Sequence, residues 1–122
     1  AIKTRVKPAF YSTDQMKQVI INHVEELKNI SFDRMMMPTR KREVCYARQL
    51  CMYLLKKKTK MSYKCIGQEF GGRDHTTAIH ACAVIEDLMF TDREVKNEVN
   101  AALLEISHRL TRTEAQNNLH AA

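Results

Sequence analysis

The sequence contains little of what would make a chain flexible, membrane-spanning or fibrous. It has only three glycines and two prolines among 122 residues, against 44% hydrophobic residues, so it is not a low-complexity or disordered chain. No apolar run approaches the roughly 20 residues that a membrane-spanning helix needs, and no secretory signal is visible. A chain of this length suits one domain with one core. We therefore expect a folded cytoplasmic domain with no membrane partner.

Closely spaced metal ligands are also missing. The four cysteines stand at positions 45, 51, 65 and 82, and none forms a C-x-x-C pair. Because zinc modules need such pairs, the spacing predicts no metal site. Reduced, buried thiols in a cytosolic protein are the simpler interpretation.

Positive charge is concentrated in the middle of the chain. From Arg34 to Arg73 there are eleven Lys and Arg residues, opposed only by Glu43 and Glu69, so this segment has a net charge of +9. The remainder has nine basic and twelve acidic residues and a net charge of −3. A basic segment in an otherwise acidic chain is typical of a surface that binds polyanions. A solvated helix surface is the alternative, since lysine runs are common there.

Hydrophobic periodicity predicts an all-α fold with no strand. The helix that begins at Thr13 has an apolar stripe that includes His23, which we expect to be a packed core histidine, and Leu27. The predicted helices are four long ones at about 13–28, 40–58, 74–90 and 92–111, and a short one at 63–70. Side chains spaced to cap these helices are Ser12 (with Gln15 as a capping box), Thr39, Ser62, Asp74 and Thr91 (with Glu94 as a second box).

The second long helix divides into a buried stripe and a polar side. Apolar spacing places Arg42, Arg48, Gln49 and the lysines 56–58 on the exposed side, where cations in the last turn also suit the helix dipole. The predicted buried stripe consists of Val44, Ala47, Cys51, Leu54 and Leu55.

Residues 71–77, with the sequence G-G-R-D-H-T-T, join the short helix to the next long one. Two glycines suit a tight exit from a helix, and the following helix opens with polar side chains that can reach base edges. This order of parts predicts a helix-turn-helix, whose second helix enters the DNA major groove. Because Glu86 and Asp87 on its later turns would be repelled by phosphates, we expect its N-terminal end to enter first. An internal helix that Asp74 and Thr76 merely cap is the alternative.

Two longer segments resemble one family closely. Residues 47–55 (A-R-Q-L-C-M-Y-L-L) and 66–82, with the run G-G-R-D-H-T-T-x-x-H-A, are similar to the C-terminal DNA-binding domain (domain IV) of the bacterial chromosomal replication initiator DnaA. The similarity starts near Val19 and extends through the last helix. It implies a compact helical domain with a TrpR-like helix-turn-helix that binds double-stranded DNA at DnaA boxes, in initiation or regulation of chromosomal replication.

The resemblance also implies roles for individual residues. The Asp, His and two Thr of the family signature, which read the major groove, match positions 74–77. A minor-groove arginine falls on Arg40, with Arg42 nearby. Arg48 resembles a phosphate clamp, and Lys56 occupies another backbone-contact position. The full set of implied DNA-binding residues is Arg40, Arg42, Arg48, Lys56, Arg73, Asp74, His75, Thr76 and Thr77.

The sequence departs from the family at two places. Ala83 and Val84 stand where basic residues often follow H-A-C, and Lys58 and Lys64 replace positions that are often apolar or proline. Phosphate contacts are therefore expected to be redistributed, and the preferred box is left open.

No cofactor or catalysis is expected. The sequence has no G-x-x-x-x-G-K-[ST], so ATP would bind only through an ATPase domain that is absent from this chain. A first residue Ala1 favours a fragment of a longer initiator over a freestanding regulator. A hydrolase using His75 or His80 lacks H-E-x-x-H, a serine elbow and paired carboxylates. A helical protein-interaction module without box specificity is the other rival.

The predicted domain organisation has three parts. Residues 1–12 form an N-terminal extension, residues 13–111 form the helix-turn-helix domain, and residues 112–122 form a frayed tail.

Overall fold

The computed structural model describes the backbone of residues 11–120 and the side chains of residues 11–112. Within these ranges it contains six helices and no strand, which confirms the all-α prediction; none of the helices is long and apolar enough to cross a membrane. Of the predicted N-terminal extension, residues 1–12, the first ten lie outside the described residues. The helices are α1 (Thr13–Lys28), α2 (Phe32–Met36), α3 (Arg42–Lys58), α4 (Tyr63–Glu69), α5 (His75–Thr91) and α6 (Arg93–His120).

The first helix begins where the sequence predicts. Ser12 Oγ accepts a hydrogen bond from the Gln15 backbone N–H at 3.1 Å, and the Ser12 N–H donates to Gln15 Oε1 at 2.9 Å. This reciprocal pair confirms the capping box, which satisfies two of the N–H groups that a helix start leaves free. The helix ends at Asn29, which adopts a left-handed conformation with φ of 55°.

The third helix begins two residues later than predicted. Lys41 is its N-cap and makes no side-chain cap hydrogen bond, so the predicted cap at Thr39 is wrong. The hydroxyl of Thr39 instead accepts from the Lys41 N–H at 3.2 Å, within the loop. As a result, Arg40 lies in the loop before α3 and not in its first turn.

The start of α6 also differs from the expectation. Thr91 is the last residue of α5, and its hydroxyl donates to the Asp87 carbonyl at 3.0 Å. Asp92 is the cap, since its Oδ1 accepts from the N–H groups of Glu94 and Val95. The predicted Thr91–Glu94 capping box is therefore wrong.

The far end of α6 extends beyond its predicted limit. The helix continues to His120 and does not end near Thr111, so most of the predicted frayed tail is helical. Residues 121 and 122 lie outside the described range. The division of the chain into an extension, a domain and a tail stays a prediction.

The core is built around α3, which packs against α1, α2, α4 and α5. Its predicted buried stripe is confirmed, and Leu50, Met52 and Tyr53 are buried too, so the helix is enclosed on nearly every side from residue 50 to residue 55. Leu27, predicted to lie on the apolar stripe of α1, is 41% exposed near the end of that helix, so its predicted burial is wrong. Among the cysteines, Cys51 and Cys82 are buried as expected, whereas Cys65 is exposed.

His23 is a buried residue of α1, as the sequence predicts. Among the described residues neither of its ring nitrogens has a hydrogen-bond partner. Burial lowers the pKa of His23, and the nearby charge of Arg109 adds to this effect, while Glu105, Glu26 and Glu98 oppose it. The lowered pKa favours the neutral form of this core imidazole.

Candidate nucleic-acid interface

The turn between α4 and α5 depends on two glycines. Gly71 has φ of 79° and Gly72 has φ of 73°, a left-handed conformation that residues with a Cβ rarely adopt. Two backbone hydrogen bonds close the turn, from Gly72 N–H to the Gln68 carbonyl at 3.2 Å and from Arg73 N–H to the Gly67 carbonyl at 2.9 Å. The predicted glycine turn, and with it the helix-turn-helix, is confirmed.

Asp74 caps α5, and Thr77 completes the cap. Asp74 Oδ1 accepts from the Thr77 N–H at 3.0 Å and from the Thr77 hydroxyl at 3.1 Å. The hydrogen bond from the Thr77 backbone, followed by that from its hydroxyl, lowers the pKa of Asp74. Asp74 is thus an ionised cap. Because the Thr77 hydroxyl donates a hydrogen bond to Asp74, the Thr77 side chain offers a ligand only the oxygen lone pairs and the methyl group.

The N-terminal half of α5 has a buried side and an exposed side. Ala78, Cys82 and Ile85 face the core, as predicted. The exposed side carries His75, Thr76, Thr77, Ile79, His80 and Ala83.

Ile79 was missed by the sequence reasoning. It is 45% exposed and lies one turn after Thr76 on the same side of the helix. Its spacing from Thr76 is the signal that would have found it. The exposed side of α5 therefore combines hydrogen-bonding groups with one large apolar side chain.

A basic loop, residues 37–41, precedes α3. Arg40 and Lys41 are exposed, and Arg42 is exposed at the first position of α3. Met37 at the start of the loop is 58% exposed. Three consecutive exposed cations, at positions 40 to 42, therefore lie between the end of α2 and the first turn of α3.

The basic loop lies beside the helix-turn-helix. Arg73, next to the cap of α5, donates from Nη1 to the Met36 carbonyl at 3.2 Å and from Nη2 to the Met37 carbonyl at 3.1 Å. Its Nη1 also donates to the Phe70 carbonyl. Desolvation lowers the pKa of Arg73, and the charge of Arg48 adds to this. The structure thus brings the start of the loop and the start of α5 together through one side chain.

Arg48 is buried, contrary to its predicted exposure. It was expected on the polar side of α3, but it is only 8% exposed. Its Nε donates to the Met35 carbonyl at 2.5 Å and its Nη2 to the Met37 carbonyl at 3.0 Å. The side chain points at the end of α2 because the last carbonyls of a helix lack partners within it. Its predicted exposure is therefore wrong, whereas its predicted contact with a phosphate stays a prediction.

Three lysines in the last turn of α3 and in α4 do not form one surface. Lys56 is half-buried, with Nζ 3.3 Å from the Met61 carbonyl and 4.3 Å from the centre of the Tyr63 ring. Lys58 donates to the hydroxyl of Ser107 on α6 at 3.2 Å. Lys64, in contrast, is exposed on α4. Of these three lysines, Lys64 is the one that the fold leaves most accessible.

The later part of α5 carries no cation. Ala83 is exposed and Val84 is half-buried, where the family pattern often has basic residues, and Glu86 and Asp87 are exposed on the next turn. The electrostatics of α5 therefore favour contact with a polyanion at its N-terminal end only.

The amino-acid sequence matches a known protein family. Residues 17–85 match the sequence model of a family described as the bacterial DnaA protein helix-turn-helix. The chromosomal replication initiator protein DnaA of Bifidobacterium animalis subsp. lactis (strain AD011) is 42% identical over 112 residues, which is 90% of this chain. The chain spans 19% of the length of that relative.

Proposed function

The chain belongs to the bacterial DnaA protein helix-turn-helix family, and from this premise we propose that it binds double-stranded DNA at DnaA-box-like sites. The binding would serve the initiation or regulation of chromosomal replication. The observation that carries the proposal is the exposed polar first turn of α5 beside a basic loop, joined by Arg73.

The first turn of α5 has the chemistry to read base edges in the major groove. His75 and Thr76 can hydrogen-bond to bases, while Ile79 and the methyl group of Thr77 can contact thymine methyl groups. The acidic side chains of Glu86 and Asp87 would lie too close to phosphates if the whole helix followed the groove. We therefore propose that α5 enters with its N-terminal end.

The basic loop would supply a second contact. Arg40 is exposed and lies outside α3, so its side chain can extend into a minor groove narrowed by A/T pairs, where the negative potential is strong. Arg42 and Lys64, which are exposed, would contact phosphates. Lys56 would contribute only after leaving its position over the Tyr63 ring.

We propose no catalytic activity for this chain. It matches a DNA-binding helix-turn-helix, and ATP would be bound only by a segment outside it, since the chain has no phosphate-binding G-x-x-x-x-G-K-[ST] motif. A cytoplasmic location is part of the same proposal.

Binding titrations on a DnaA-box duplex and a scrambled duplex of equal length test the function. At one salt concentration we expect the box to bind at least ~10³-fold more tightly, the lower end for specific domains. Both affinities should fall steeply as salt rises, because the cations displace counterions from phosphates. Equal affinity for the two duplexes across the salt range would refute the proposal.

A further inference from the structure

Two guanidinium groups meet at the end of α2 without any carboxylate. Arg48 reaches it from α3 and Arg73 from the helix-turn-helix, and their acceptors at this end are the carbonyls of three consecutive residues, Met35, Met36 and Met37. Among residues 11–112 neither arginine forms an ion pair. Apart from a weak contact of Arg48 with Cys45 Sγ, their hydrogen bonds are all to backbone carbonyl groups, including that of Phe70.

These contacts stabilise an element that cannot stand alone. The helix α2 has five residues, far fewer than an isolated helix needs in water. The free carbonyls at its C-terminal end carry partial negative charge, and hydrogen bonds from a charged donor are stronger than neutral ones. The two arginines thus hold α2, and the loop that follows it, against α3 and the turn.

The close approach of the turn to α2 also depends on Gly71. A Cβ at that position would lie 2.7 Å from the Met36 carbonyl oxygen and 3.1 Å from Arg73 Nη1. No side chain fits there, so the turn and the end of α2 touch backbone to backbone.

The same carbonyls mark the start of the basic loop. Met37, which accepts from both arginines, is three residues before Arg40, and Arg73 is immediately before the cap of α5. We infer that Arg48 and Arg73 are positioning residues, which set the distance between the loop and the first turn of α5. In terms of the proposed function, on which this inference rests, they align the minor-groove contact with the major-groove contact and are not phosphate ligands.

Hydrogen exchange in the DNA-free protein tests the positioning directly. In the loop, the Thr39 N–H donates to the Met37 carbonyl at 2.9 Å and the Lys41 N–H to the Thr39 hydroxyl at 3.2 Å. In Arg73→Lys, which keeps the charge but loses the two-pronged donor, these amides should exchange about tenfold faster or more. The amides of α3 should not change, which shows that the variant folds.

Arg34→Lys is the matched control. It makes the same chemical change at an exposed position of α2, so its loop amides should exchange as in the wild type. If the loop amides of Arg73→Lys and Arg48→Lys also exchange as in the wild type, the inference is wrong. This arm needs no DNA, so it gives an answer even if the proposed function fails.

A binding cycle tests the consequence for DNA. Arg73→Lys should reduce the ratio of box to scrambled affinity by tenfold or more, while its affinity for scrambled DNA and its salt slope stay close to those of the wild type. Arg40→Ala should then cost less affinity in the Arg73→Lys background than in the wild type, because the loop is already displaced.

Different results are expected if Arg73 is a phosphate ligand. A lysine retains most of a phosphate contact, so Arg73→Lys would then discriminate like the wild type, and its effect would add to that of Arg40→Ala. That outcome overturns the inference. A wild-type protein that does not discriminate between the duplexes would instead refute the proposed function, leaving the exchange result to decide the positioning.

Discussion

Replacing Gly67 with alanine should damage both the stability of the protein and its discrimination between DNA sequences. Gly67 is buried in α4, facing the backbone that leads into α5. A Cβ there would lie 2.4 Å from the Arg73 carbonyl oxygen and 2.6 Å from that of Asp74. Both atoms belong to the backbone, so no side-chain rotation can relieve the contact.

Two effects oppose each other in this variant. Alanine favours a helix over glycine by about 0.5–1 kcal/mol. Overpacking of a well-packed site costs about 1–3 kcal/mol. Since the neighbouring atoms are carbonyl groups at the start of α5, the cost should exceed the gain, and we expect a net loss of roughly 1–2 kcal/mol. The relief available is a shift of residues 73 and 74, which would move the first turn of α5.

Urea denaturation and paired duplex titrations measure the two consequences. Gly72→Ala is the matched control. Gly72 has φ of 73°, but a Cβ added there would meet no heavy atom within 4 Å. The substitution should cost about 1–2 kcal/mol through backbone strain alone and keep the wild-type ratio of box to scrambled affinity. Gly67→Ala should lose stability and lower that ratio. A Gly67→Ala protein that is as stable and as discriminating as the wild type would refute the steric argument.

Three further predictions concern the buried side chain of His23 and the residues proposed to contact DNA bases. Folding lowers the pKa of His23, so the unfolded chain binds a proton at a higher pH than the folded protein does. The free energy of unfolding should therefore fall as pH drops below about 6.5. His23→Leu should flatten this dependence in denaturation series at pH 5 to 8, and an unchanged slope would exclude His23 as its source. Arg40→Ala should weaken preference at the A/T end of the site and His75→Ala at the other end; identical profiles in a base-substitution scan would contradict the assignment of two grooves. Thr76→Ala should cost about 1–3 kcal/mol on the box and much less on scrambled DNA, and a folded variant that loses affinity equally on both would show that this turn grips only the backbone.

Features that depend on neighbours three or four residues away were predictable from the sequence. The capping box of Ser12, the cap of Asp74 and the left-handed glycines after α4 all act within one turn of backbone, so their residue types carry the information locally. The buried stripe of α3 follows in the same way from helical spacing. The family signature added the expected link to DNA, and the match to residues 17–85 supports the family assignment.

Features that depend on which distant backbone faces a side chain were decided by the tertiary structure. Spacing alone placed Arg48 on the polar side of α3, because an arginine is ordinarily exposed. The fold brings the open carbonyl end of α2 against it, and those carbonyls lie 11 and 13 residues away in the chain. The contact of Gly67 with the start of α5 has the same origin. Periodicity predicts which side of a helix is apolar, but only the packed neighbours determine whether a polar side chain on the other side meets solvent or backbone carbonyl groups.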